Sequence, residues 1–172
     1  MGPFIAIAVV AVIVIAVLAG VYASKQTNKL YDSGAAYRNR AGDFYAQMHT
    51  FRTVVPDLET LLNSLDGRTL AQQGITVSRD AAANRLVFQD ARNSFAATLT
   101  ALPEDPSLGE GVFFYRFVVN RVKVKGGSVM IPARAGINVA LTAVEKAFLT
   151  LDFNAVAQRV YITDWKTKTS FF

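Results

Sequence analysis

Nothing charged occurs before Lys25, and 20 of the first 23 residues are hydrophobic, with only Gly2, Pro3 and Gly20 outside that class. Pro3 to Ala23 forms 21 residues, about 31 Å as a helix, which matches a hydrocarbon core of about 30 Å. A helix is the only single-segment solution in lipid, because its backbone groups satisfy one another. The seven β-branched residues between Val9 and Val17 are no obstacle there. Val21-Tyr22-Ala23 has the form of a weak signal-peptidase site, but the run lacks a basic n-region and exceeds the usual length of a signal peptide. The expectation is an uncleaved anchor over 1–23.

With that segment set aside, about 69 of the remaining 149 residues are hydrophobic, the ordinary proportion for a globular domain long enough to bury a core. Composition thus excludes disorder, a multi-span membrane protein, a collagen-like chain and a disulfide-stapled fold. The Lys and Arg residues near the span all follow it: Lys25, Lys29, Arg38 and Arg40. The positive-inside rule then places the N-terminus outside and the domain in the cytoplasm, with an extracytoplasmic domain as the alternative. The absence of cysteine fits a reducing compartment, and no Asn-x-Ser/Thr sequon occurs. Ala16, Ala19, Gly20 and Ala23 fall at spacings of four, which lets another membrane helix approach closely.

Residues 24–50 read as a juxtamembrane amphipathic helix, because Leu30, Tyr37, Ala41, Phe44, Met48 and Phe51 recur at steps of three, four and seven. An α+β domain follows over 51–172. Phe51 to Val55 reads as a short strand, and Pro56 opens a helix with Leu58, Leu61, Leu62 and Leu65 on one side. A further turn runs to Gln73 with Gly74 as its terminator. The period then changes to two: Ile75–Ser78, Leu86–Gln89 and the alternating Phe95, Ala97, Leu99, Ala101 read as three strands. Pro103 to Gly111 forms an acidic loop. Val112 to Lys125 is the strongest strand, apolar on both sides in its first half and alternating in its second. Gly126-Gly127 turns it into a hairpin with Val129–Ile131. Ile137, Leu141, Val144, Phe148 and Leu151 predict a helix over 135–151, and Val160 to Phe171 reads as a closing strand, with Tyr161, Thr163, Trp165 and Thr167 on one side.

The expected architecture is an antiparallel sheet of about six to seven strands packed with a short N-terminal and a long C-terminal helix. This order is similar to that of helix-grip domains such as the START and Bet v1-like group. The resemblance implies a curved sheet gripping the long helix around an apolar cavity, and the strand after that helix departs from it. Phe114, Phe117, Val118, Leu141, Val144 and Phe148 are the residues that would line such a cavity.

The available chemistry is narrow. His49 is the single histidine and there is no cysteine, so Cys₄, Cys₂His₂, His₃ and HExxH zinc sites are excluded, and a Ser-His-Asp triad has only His49 to use. Gly109-Glu110-Gly111 and Gly126-Gly127-Ser128 lack the patterns of phosphate loops. Asp80, Asp90 and Asp164 are isolated carboxylates. One polar cluster remains: Arg121, Lys123 and Lys125 alternate along a strand, about 6.6–7 Å apart, and would contact anionic lipid if the domain lies on the cytoplasmic leaflet. Bare cations without interleaved aromatics disfavour nucleic acid. A pilin-like subunit is disfavoured too, because no glutamate stands near the start of the apolar run. The expectation is a non-enzymatic, membrane-anchored accessory or assembly subunit without a cofactor, bound to membrane lipid through 3–23 and to a membrane-protein partner. The alternative is a module that binds a lipid or apolar small molecule on the membrane surface.

Overall fold

The computed structural model describes residues 44–104, 107, 110–125 and 128–162, and the backbone of 170–171. The span 3–23 with Ala16, Ala19, Gly20 and Ala23, residues 24–43 of the juxtamembrane segment, the Gly126-Gly127 turn and residues 163–169 lie outside the described residues. Among the described residues no helix is long and apolar enough to cross a membrane.

A single 3₁₀ turn, Phe44–Ala46, leads directly into β1, Gln47–Thr53. The helix expected to reach residue 50 is therefore corrected to strand over 47–50. Phe44, Met48 and Phe51 have helical spacing, but His49, Phe51 and Thr53 are buried in alternation while Met48 falls on the other side. Tertiary pairing decides the matter, since β1 is flanked by a strand on each side and its pairing outweighs local periodicity.

Two short helices follow, each started by an aspartate. Asp57 caps α1, Leu58–Ser64, by accepting from Thr60 N at 2.7 Å and Thr60 Oγ1 at 3.0 Å. Asp66 caps α2, Gly67–Gln72, by accepting from Thr69 N at 3.0 Å. Asx caps of this kind satisfy helix N–H groups that have no intrahelical acceptor. Gly74 ends the pair at φ +69, in the left-handed region.

The meander β2, Ile75–Asp80, β3, Arg85–Asp90, β4, Phe95–Ala101, and β5, Phe113–Val122, then forms. Asn84 and Asn93 take positive φ in its turns, and the Asp90 carboxylate clasps Ser94 Oγ at 2.8 Å and Phe95 N at 3.1 Å. A bulge between Ala96 and Ala97 of β4 sets Asn120 out of register in β5. β6, Val124–Lys125, and β7, Ser128–Val129, make a separate two-stranded ladder. The long helix α3, Ile131–Leu151, starts four residues earlier than expected, with Pro132 in its first turn, where a missing N–H costs nothing. β8, Val156–Tyr161, completes a sheet of six antiparallel strands in the order β2-β3-β4-β5-β1-β8. The closing strand thus begins four residues before Val160. β9, Ser170–Phe171, pairs in parallel with the end of β5.

The helices cover one side of this sheet. Phe51, Leu86, Phe88, Phe95, Leu99, Tyr115, Phe117 and Val122 point toward Ile137, Leu141, Val144 and Phe148 of α3, all of them buried. Phe148 stacks on Phe51 at 4.7 Å and tilts against Tyr115 at 5.2 Å. The Tyr115 hydroxyl donates to Val55 O at 2.7 Å, and burial pushes its pKa up to about 12.

Candidate functional site: the open side of the sheet and its edge strand

Strand alternation that buries one side of the sheet sends every other residue to the opposite side. There Arg52, Thr76, Ser78 and Arg116 are exposed, and Met48, Thr50, Val87, Thr98, Phe114 and Val118 are half-buried. Phe114 and Val118 therefore lie away from α3. The first half of β5, apolar on both sides in sequence, is covered on one side only, and Arg116 between them is exposed. Of the six residues proposed to line a cavity, Phe117, Leu141, Val144 and Phe148 meet in the core, while Phe114 and Val118 do not join them.

The cations singled out from sequence are also divided. Arg121 is next to last in β5, half-buried, with Nη2 donating to Asn93 Oδ1 at 3.3 Å. Lys123 sits in the break after β5, its N–H bonded to Ser94 O at 2.7 Å and its carbonyl accepting from Met130 N at 3.0 Å. Lys125 is exposed in β6. The strand does not run through, so the three do not form an evenly spaced stripe.

A different pair of cations is brought together instead. β1 and β5 are in register with Arg52 opposite Phe114 and Thr50 opposite Arg116. The two arginines are thus diagonal neighbours on adjacent strands, and among the described residues neither has an ion-pair partner. Other arginines are engaged: Arg79 with Glu59 at 2.9 Å, Arg85 with Asp80 at 2.9 Å, and Arg159 with Glu145 at 3.9 Å. Beside the pair lies a cleft of about 160 Å³ lined by Thr50, Arg52, Phe114, Val156 and Gln158. Nothing in the sequence signals this site, because it depends on a register between strands 64 residues apart.

β8 forms the edge of the sheet among the described strands, and all six of its residues are exposed. The turn from α3 into β8 adds further apolar surface: Phe153 is 90% exposed, and Val54, Leu149 and Val156 are exposed as well. This patch surrounds a polar clasp. Asp152 accepts from Thr53 Oγ1 at 2.8 Å, Val54 N at 3.0 Å and Asn154 N at 2.9 Å. Those hydrogen bonds, the Val54 amide foremost, hold its carboxyl below the usual carboxylate range.

His49 is buried in β1, where its ring Nε2 lies 3.2 Å from Phe44 O and its ring meets Phe117 edge-to-face. It packs the core in the interior of a strand. Among the described residues no three His, Asp or Glu side chains approach closely enough to share a metal ion. A larger cleft of about 490 Å³ lies between the end of α2, the β3–β4 turn and the first turns of α3, lined in part by Gln73, Arg92, Pro132 and Gly136.

Among the described residues, these features define an α+β domain with helices on one side of a six-stranded antiparallel sheet, an open opposite side and an exposed edge strand. No protein-family model, curated protein or solved structure matches the chain.

Proposed function

We propose that this chain is a membrane-anchored, non-enzymatic accessory or assembly subunit of a larger membrane protein complex. The observation that carries the reading is the β8 edge. Its six exposed residues present strand hydrogen-bonding groups beside Phe153, Val156 and Val160, the combination through which a partner adds a strand to a sheet and buries apolar side chains next to it. Single exposed apolar residues are ordinary, but several around an open edge suit an interface. The apolar run 3–23 supports the anchor, and the basic flank after it supports the cytoplasmic side for the domain. Extraction of native membranes in mild detergent tests this: the chain comigrates with a larger assembly, and Val160→Lys combined with Phe153→Ser releases it. A chain that runs as a free monomer before and after substitution contradicts the reading.

The second reading, a module for a lipid or apolar ligand on the membrane surface, is favoured by the outer cleft, which sets an aromatic and a valine beside an uncompensated guanidinium.

A further inference from the structure

The open side of the sheet carries an uneven charge distribution. Its strand positions hold Arg52, Arg85, Arg116 and Arg121 against one carboxylate, Asp80, and that carboxylate is bound by Arg85 at the far edge of the sheet. Arg52 and Arg116 remain, exposed and without an ion-pair partner among the described residues, roughly 7–8 Å apart as diagonal neighbours. Between them lie Phe114 and Thr50, and the cleft continues to Val156 and Gln158. Alongside, one register runs from Val87 through Thr98 to Val118 across β3, β4 and β5, and Met48 is half-buried on the same side of β1. Guanidinium groups bind phosphate and carboxylate oxygens with paired N–H donors, and they shed water more readily than ammonium groups do. An aromatic and a valine beside them accommodate the glyceride region behind a headgroup. A nucleic acid would want exposed rings for stacking, and on this side of the described sheet Phe114 is the only aromatic of β1–β5, half-buried.

We propose that this side of the sheet rests on an anionic bilayer surface, with Arg52 and Arg116 holding lipid headgroup oxygens above the Phe114 cleft. The orientation leaves the backbone hydrogen-bonding groups of the β8 edge lateral, where a protein partner can pair with them. The inference rests on the reading that residues 3–23 anchor the chain, which keeps the domain close to a leaflet.

The full-length protein in lipid nanodiscs tests it. With no native cysteine, Ser78→Cys places a fluorophore on the open side and Asn63→Cys places one on exposed α1. Discs contain nitroxide-headgroup lipid in phosphatidylcholine, with or without phosphatidylserine. The label at 78 is quenched in the serine-containing discs and little in the others, while the label at 63 is unquenched in both. Arg52→Gln with Arg116→Gln, checked for native circular dichroism, returns position 78 to the phosphatidylcholine level. Equal quenching at 63 and 78, quenching independent of phosphatidylserine, or quenching that survives the double substitution overturns the proposal. Failure of the anchor is seen separately, as protein that does not copurify with discs. The same protein is then floated with vesicles of phosphatidylcholine and phosphatidylserine. Binding that falls at least about tenfold on losing the two arginines upholds the lipid-facing side without the anchor, and absence of flotation overturns it.

Discussion

Thr53 Oγ1 donates to Asp152 Oδ2 at 2.8 Å, joining the end of β1 to the end of α3 across 99 positions of sequence. The same oxygen accepts from Val54 N. One carboxylate thereby closes the loop between the sheet and the long helix, just where the exposed apolar patch begins.

That clasp makes stability depend on pH. The Asp152 carboxyl is lowered chiefly by the Val54 amide, and those of Asp57 and Asp66 by Thr60 and Thr69. A carboxyl with a depressed folded pKa contributes stability that is fully present above the unfolded value near 3.9 and is lost as pH falls through the folded one. Melting temperature should therefore be flat near neutrality and fall below about pH 4. Asp152→Asn should lower Tm at pH 7 by several degrees and reduce the acid slope, both read from melts across a pH series. An unchanged slope would remove Asp152 from the account.

Gly136 is required by a ring. A Cβ built there would lie 2.5 Å from Cε1 of Phe95, which is fully buried. Ala ordinarily gains about 1 kcal/mol over Gly within a helix, but overpacking costs about 1–3 kcal/mol. Gly136→Ala should be destabilising on balance, by up to about 2 kcal/mol. Phe95→Leu makes room, so the double variant should lose less than the sum of the two single losses in denaturant melts.

Tyr115 should ionise well above the ordinary phenol range. Its raised pKa, about 12, means that its contribution is complete below the unfolded value near 10 and is lost as pH climbs toward the folded one. Tyr115→Phe leaves Val55 O without this donor and should cost about 1–2 kcal/mol. In spectrophotometric titration it should remove a phenolate step near pH 12.

Topology has a simple assay. Ser107 is exposed, and Ser107→Cys in the cysteine-free chain should react with a membrane-impermeant maleimide only after cells are lysed. Labelling of intact cells would instead place the domain outside, as in the alternative orientation.

Much of the fold was legible in local pattern. The alternation of Phe95, Ala97 and Leu99, and the leucine spacing after Pro56, correspond to β4 and α1 as observed. Phe44, Met48 and Phe51 satisfy a helical period, and only the pairing of β1 with β5 and β8 resolves residues 47–50 as strand. β8 begins earlier than the sequence pattern indicates, because none of its residues is buried and no alternation marks it. The candidate site was less legible still. Arg121, Lys123 and Lys125 are evenly spaced in sequence, but the strand breaks at Lys123. Arg52 and Arg116 are distant in sequence and adjacent only through register.

The most direct test of the central claim is native electrophoresis of mild-detergent membrane extracts from cells carrying the parent chain or Phe153→Ser with Val160→Lys. The parent should migrate in an assembly much larger than its own mass, and the double variant, equally abundant and still membrane-bound, should migrate free. A parent chain that migrates free, or a double variant still held in the assembly, would contradict it.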